Sequence, residues 1–160
     1  MPWVRLHGIK SYYGMAWLAQ RHPQTHLTFN LVPSLLAQLD DYAHGRAEEE
    51  HLRLTAKPAV ELAQEEVAFL LDEFFSANWD TMVRPHERYG ELLRRRRFDR
   101  LTAREAARDF AVRDLRDLQM WATLAWVFPP LLQHDPVLHE LAAKGRDFTE
   151  EDKAALLGRQ

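Results

Sequence analysis

The sequence predicts a mostly α-helical fold with one or few short strands. Only 6 of its 160 residues are glycine, and long amphipathic stretches occupy most of the chain. Apolar residues that recur at steps of three or four mark the buried face of a helix. One short segment, residues 26–32, instead has the β-branched and aromatic composition of a strand. We find no internal repeat and no linker, so a single domain is expected.

The first predicted helix is Ser11–Gln20, which should end before Pro23 because residues before a proline avoid the α region. Residues 26–32 follow, with prolines on both sides, and are nearly the only strand candidate. A helix over residues 33–42 comes next, since proline is favoured in the first helical turn, and it should close near Gly45.

A lone strand poses a physical problem. Its backbone donors and acceptors need a sheet partner, because unpaired buried amides are costly. Either residues 26–32 are not a strand, or the partner strands lie outside this chain. The second possibility predicts that residues 1–160 are a single incomplete domain.

The second half of the chain shows clearer helix signals. A helix is predicted over residues 61–75 and a loop over residues 76–80. Thr102 then opens a capping-box pattern with Glu105. The longest predicted helix starts there and runs to about Trp126. The apolar stripe of this helix is Ala107, Ala111, Leu115, Leu118, Ala122 and Ala125.

Two shorter helices are predicted towards the C-terminus. One covers residues 136–143 and ends at Gly145, and the other starts at a second capping-box pattern, Thr149 to Asp152. Trp121 and Trp126 are interpreted as core residues.

Composition excludes several functions. The formal net charge of -3 gives no cationic field for nucleic acid or anionic lipid, so neither partner is expected. The absence of cysteine rules out disulfides and thiolate metal sites. No apolar run approaches the roughly 20 residues that span a bilayer, and the start of the chain lacks the apolar core of a signal peptide. A cytoplasmic location is expected.

Five stretches resemble glycoside hydrolase family 57, especially its α-amylase and amylopullulanase-like branch. They are PWVRLHGIKSYYGM (2–15), HLTFNLVPSLLAQLDDY (26–42), FFSANWDTMVRPHERYGELLRRR (74–96), DLRDLQMWATLAWV (114–127) and KGRDFTEEDKAALL (144–157). The resemblance implies a (β/α)7 barrel that acts on α-glucans or oligosaccharides by retaining hydrolysis or glucan transfer, without a metal or organic cofactor. The chain would be the N-terminal part of that barrel, with a large helical excursion.

The chain departs from the family pattern at the catalytic motifs. The His-Gln-Pro motif of the first strand and the Trp-Pro-Glu-like motif of the glutamate nucleophile are both absent, and none of the 24 acidic residues matches the aspartate acid/base. Ser11 also stands where the family has aspartate. The resemblance therefore implies that this chain alone is inactive and needs the missing barrel segments as partners.

Four residues are candidates for substrate binding. Asn30, near the end of the expected strand, could bond a sugar hydroxyl, because barrel enzymes bind substrate beyond the C-terminal strand ends; it could equally cap the turn before Pro33. His7 and Lys10 could line the cleft, or be an ordinary helix-end histidine and a solvated lysine. Trp79 could stack on a pyranose ring or close the helical core.

Other polar groups have simpler explanations. His134 and His139 are five residues apart with Pro136 between them, which does not suit a metal site. The basic run at residues 94–97 is interpreted as a solvated helix end. The chain has no G-x-S-x-G, P-loop or G-x-G-x-x-G pattern. The alternative to a barrel fragment is a stand-alone helical module that binds carbohydrate or another protein.

Overall fold

Helices form nearly all of the regular structure, as the sequence predicts. The computed structural model describes residues 2–159, which contain eleven α-helices, two π-helical turns and two 3-10 turns. The α-helices are α1 (Trp3–His7), α2 (Tyr13–Arg21), α3 (Pro33–Ala43), α4 (Glu50–Ala56), α5 (Gln64–Glu73), α6 (Glu87–Arg96), α7 (Ala103–Ala106), α8 (Val112–Leu124), α9 (Pro129–His134), α10 (Pro136–Lys144) and α11 (Glu150–Leu157). The π-helical turns are Gly8–Tyr12 and Trp79–Val83, and the 3-10 turns are Ala59–Glu61 and Ala107–Asp109.

The N-terminal helical run is longer than predicted. α1, the π-helical turn Gly8–Tyr12 and α2 follow one another directly and end before Pro23, as expected. Gly14 lets this run approach the segment after α8 closely. A Cβ at position 14 would lie 2.8 Å from the ring of Phe128, so a larger residue would force that ring to move.

Residues 26–32 have no regular secondary structure, so no strand forms within the described part of the chain. All side chains from residue 21 to residue 34 are exposed. No backbone hydrogen bond connects residues 26–31 to another segment within residues 2–159. The strand prediction is corrected to an unpaired segment without regular structure, because a strand needs a neighbour that takes up its backbone donors and acceptors.

The helix ends that depend on neighbouring residues lie at the predicted positions. Thr102 accepts a bond from the Glu105 amide, Thr149 accepts one from the Asp152 amide, and each hydroxyl starts the predicted helix. Gly145 adopts a left-handed conformation with φ 71° after α10. These contacts involve neighbours in the chain, so the sequence pattern alone is sufficient to predict them.

The long helix predicted from Thr102 to about Trp126 is broken in the middle. Phe110 and Ala111 are non-helical, and α8 starts only after them. The Asp114 carboxylate accepts a bond of 2.8 Å from the Ala111 amide and so caps a new helix. Ala111, expected on the buried stripe, is exposed as a result.

α8 is the centre of the hydrophobic core. It packs against α4, α5, α6 and α11, and its residues Leu118, Met120 and Leu124 are fully buried. Trp121 is also buried, as predicted, and its indole N–H donates to the Gly145 carbonyl at 2.8 Å. Within residues 2–159, none of the helices combines the length and apolar character that crossing a bilayer requires.

A buried ion network ties α8 to its neighbours. The Arg88 guanidinium on α6 bonds to Asp117 at 2.7 Å, to Asp114 at 2.5 Å and to Glu91 at 2.9 Å. Both aspartates belong to α8, and the other oxygen of Asp117 accepts from the Phe148 amide, which precedes α11. Burial opposes ionisation of Asp114, yet its bonds to the Ala111 amide and to Arg88 hold its pKa below the usual value. The Arg88 guanidinium thus connects α6 to α8 and, through Asp117, to the residue Phe148 just before α11.

Replacing Arg88 by methionine should lower the free energy of unfolding by about 3–5 kcal/mol, because the buried carboxylate of Asp117 loses its counter-ion and that of Asp114 keeps only Arg95. Urea denaturation of the purified chain measures the change. The same substitution at Arg94, an exposed arginine of the same helix, is the control and should cost less than about 0.5 kcal/mol. Equal costs at both positions would contradict the structural role assigned to Arg88.

His51 is a buried histidine that the structure keeps neutral. Its ring stacks on Phe74 at 4.8 Å between centroids, and its Nε2 has no hydrogen-bond partner in the described residues. Burial, together with the charge of Arg5, lowers the pKa of His51 from 6.5 to about 4. Protonation therefore favours the unfolded chain.

Between about pH 6.5 and about pH 4 the unfolded state binds this proton and the folded state does not, so stability is complete above that window and falls through it. We expect the free energy of unfolding to drop by about 1–2 kcal/mol from about pH 7.5 to about pH 5 on account of His51. The variant His51→Phe keeps the ring packing and should show a smaller drop. Identical pH profiles for both proteins would show that His51 does not act this way.

Candidate functional site

Two of the four predicted site residues meet at the end of α8. His7 closes α1, Lys10 lies in the π-helical turn that follows, and both approach the indole of Trp126. The His7 ring lies 5.3 Å from the Trp126 ring in an edge-on arrangement. Trp3, one helical turn before His7, stacks on it at 5.7 Å and lies 5.8 Å from Trp126. We call Trp3, His7, Lys10 and Trp126 the Trp126 cluster.

Each polar group of the Trp126 cluster is held in place. Lys10 Nζ donates to the Ala125 carbonyl at 3.1 Å and lies 5.8 Å from the centre of the Trp126 ring. His7 Nδ1 is 3.1 Å from the Ser11 hydroxyl. Partial burial lowers the pKa of Lys10. Because π-helical turns commonly reposition side chains at functional sites, the turn between His7 and α2 is consistent with a binding role.

The exposed face of the cluster is aromatic. Trp3 has 47% of its surface accessible, whereas Trp126 has only 7% and serves mainly as the base on which the other groups rest. An indole face beside N–H donors suits a ring that carries hydroxyl groups, since the apolar ring face stacks and the hydroxyls accept hydrogen bonds. The cluster contains no carboxylate, so it can bind such a ring but cannot provide acid/base chemistry.

A second aromatic pair is formed by His86 and Trp121. His86 stacks on Trp121 with 4.4 Å between ring centroids. Burial and the nearby charge of Lys10 lower the pKa of His86. Lys10 is therefore close enough to influence a histidine that follows the second π-helical turn.

Asn30 and Trp79 do not join this cluster. Asn30 is exposed, and no side chain of the described residues caps α3, which begins at Pro33. Trp79 lies at the second π-helical turn, where its indole N–H donates to the Phe75 carbonyl at 3.0 Å and its ring lies 5.4 Å from Phe98. The structure thus separates the four predicted residues into one cluster and two isolated positions.

The carboxylates that are buried within residues 2–159 are paired with cations and do not face a substrate. Asp114 and Asp117 both bond Arg88 and are buried. Glu49 is bound by Arg5 and Tyr42, and Glu50 by Arg53. Where a carboxyl pKa in residues 2–159 departs from its usual range, it is lowered; for example, hydrogen bonds from Lys57 and the Ala63 amide lower the pKa of Glu66 to about 2. A glycosidase acid needs the opposite shift.

Trp3 was not among the predicted site residues. The assignment of Trp126 to the core is confirmed by the burial of its ring, but the contacts of that ring with His7 and Lys10 were not predicted. Trp3, His7 and Lys10 are spaced by four and three residues, so they share one helix face, and this spacing could have revealed Trp3. The sequence around Trp126 carries no pattern that predicts its contact with His7 and Lys10. Its position at the cluster depends on how the end of α8 packs against the N-terminal run.

Residues 2–159 thus form a helical protein with an aromatic and cationic surface at the Trp126 cluster. No protein-family model, curated protein or solved structure matches the chain.

Replacing Lys10 by methionine should raise the pKa of His86, because a neighbouring positive charge that disfavours the protonated imidazole is lost. A titration of the histidine ring protons by NMR measures the change. His51 is the internal control, since its pKa is set by burial and by Arg5 rather than by Lys10. An unchanged His86 pKa would show that the two groups are not neighbours.

Proposed function

We propose that this chain forms part of a family 57-like glycoside hydrolase barrel that acts on α-glucans, and that the Trp126 cluster is one wall of its binding cleft. The motif resemblance of residues 2–15 and 26–42 suggests the family. The convergence of His7 and Lys10, both in the first of these motifs, on Trp126 agrees with a binding role. The expected cytoplasmic location and the absence of a cofactor are parts of the same proposal.

The observation that carries the proposal is the exposure of residues 26–32. Leu27, Phe29 and Leu31 alternate along the segment and have 55%, 47% and 64% of their surfaces accessible. Apolar side chains at every second position are typical of a strand with one buried face. Such a segment is unstable in water without a sheet beside it, because it exposes both apolar surface and unpaired backbone groups.

More apolar surface lies on the elements next to this segment. Tyr13, Met15 and Leu18 of α2 are all more than two-fifths exposed, as is Leu36 of α3. A barrel strand at residues 26–32, flanked by α2 and α3, would cover this surface with neighbouring strands. In the complete enzyme, the facing nucleophile and acid/base would come from those other strands, about 5–5.5 Å apart for a retaining mechanism.

The alternative, a stand-alone helical module that binds carbohydrate or a protein, also has an observation in its favour. A single hydrophobic cluster runs from Leu54 to Leu156 and encloses α8. This part of the chain has a core of its own, so it satisfies the requirement for an independent module. The two proposals differ in what they say about residues 26–32 and about catalysis.

The gene and one assay together distinguish these proposals. For a barrel, we expect the reading frame to extend into a His-Gln-Pro motif upstream and a Trp-Pro-Glu-like motif downstream. The extended polypeptide should release reducing ends from maltoheptaose, and the 160-residue chain should release none. In the extended enzyme, Lys10→Met should raise KM severalfold, whereas Arg113→Met, which removes an exposed charge elsewhere, should not.

Two results would reject the barrel. One is robust turnover of maltoheptaose by the 160-residue chain, which would require an acid pair within it. The other is a reading frame closed at both ends together with a monodisperse, stably folded chain. In that second case, binding of maltoheptaose that is weakened by Lys10→Met would support the carbohydrate-binding module.

A further inference from the structure

A second cleft lies between the π-helical turn Trp79–Val83 and the C-terminal end of α6. Its volume is about 570 Å³, within the range of small-molecule sites. Trp79 and Phe98 form one side, and Arg84, Arg94 and Arg97 line the remainder together with Asp99. None of these residues belongs to the Trp126 cluster, so the cleft is a separate feature of the surface.

The aromatic side of the cleft is oriented in advance. The bond from the Trp79 indole to the Phe75 carbonyl fixes the ring, and the Phe98 ring lies 5.4 Å from it at an angle of 36°. Phe98 is in turn backed by the Arg96 guanidinium at 4.2 Å. Trp79 and Phe98 are nevertheless 39% and 37% exposed. A ligand ring can therefore stack here without prior rearrangement.

The remaining lining is cationic. Three arginines and one aspartate give the lining a formal charge of +2. Arg84 is paired with Asp80, and Arg97 with Asp109. Arg94 has no ion pair or hydrogen bond within residues 2–159, so its five N–H donors are free for a ligand.

The position of Arg94 follows from its neighbour Gly90. A Cβ placed on Gly90 would lie 3.5 Å from Arg94 Nη1 and 3.5 Å from the Cα of Arg84. The guanidinium therefore lies back along α6, beside the glycine that also lines the cleft. The next two arginines of α6 already donate hydrogen bonds within the protein, Arg95 to Asp114 and Arg96 to the Leu71 carbonyl.

We infer that this cleft binds a phosphate ester carried on a flat-faced ring, either a sugar phosphate or a nucleoside monophosphate. The phosphate bonds the Arg94 guanidinium, whose planar donor pattern matches phosphate oxygens. The ring stacks on Trp79. Neither group alone explains the cleft, because a bare anion leaves the exposed indole unused and a neutral ring leaves Arg94 unpaired. This inference does not depend on the proposed barrel.

Isothermal titration of the full chain at low salt tests the inference with four probes: glucose 6-phosphate, AMP, inorganic phosphate and glucose. We expect at least one ester to bind at least tenfold more tightly than inorganic phosphate and glucose. The tighter ester identifies the ring that the cleft prefers. Arg94→Gln should weaken ester binding tenfold or more, and Arg113→Gln, an equal loss of exposed charge outside the cleft, should leave it unchanged.

Two further variants separate the ring contact from the charge. Trp79→Leu should reduce ester affinity towards that of inorganic phosphate. Gly90→Ala should keep the fold, because its new methyl group meets neighbours only at ordinary contact distances, yet it should weaken binding by narrowing the cleft. Thermal unfolding of each variant checks that the fold is retained.

Three results would overturn the inference. They are no ester binding at millimolar concentrations, inorganic phosphate binding as tightly as the esters, and ester binding that survives both Arg94→Gln and Trp79→Leu. The second result would identify an adventitious anion site only.

Discussion

The buried guanidinium of Arg88 is the contact on which the arrangement of the helices depends. From its place on α6, it neutralises Asp114 and Asp117 of α8. Asp117 also accepts a hydrogen bond from the Phe148 amide, which precedes α11. Two carboxylates this deeply buried are stable only with a cation among them, since isolated buried charges are very costly. Asp114 also caps α8, so the same network determines where that helix begins.

The position of α8 in turn determines the candidate binding surface. Its C-terminal end supplies the Ala125 carbonyl that holds Lys10 and, one residue later, the Trp126 ring. Directly afterwards, the Phe128 amide donates to the Ile9 carbonyl at 3.3 Å, and the Phe128 ring packs against Tyr13 and Trp17. The N-terminal run is therefore docked on the end of α8 by one cationic and several aromatic contacts. A shift of α8 would separate Lys10 from Trp126.

The chain combines two physically different regions. From Leu54 onwards, the helices share one hydrophobic core around α8. Residues 21–34 contribute nothing to that core and leave several large apolar side chains in water. Burial of such side chains is worth about 1.5–3 kcal/mol each, so their exposure favours association with further structure. Both the barrel and the stand-alone module account for the compact second half of the chain, whereas only the barrel provides neighbouring strands that would cover the exposed first half.

The sequence by itself determined the helical class and those helix ends that depend on neighbouring residues: the threonine caps at positions 102 and 149, the stop before Pro23 and the left-handed Gly145. It also predicts His7 and Lys10 as neighbours on one helix face, and the structure places both beside Trp126. Only the tertiary structure decided that α8 starts at Val112, that residues 26–32 have no sheet partner within residues 2–159, that Trp126 lies beside His7 and Lys10, and that Arg94 lines a cleft. These outcomes rest on contacts between residues far apart in the chain, such as Lys10 with Ala125 and Arg88 with Asp117. Local propensity does not encode such contacts, because their energy comes from burial and charge pairing after the helices have packed.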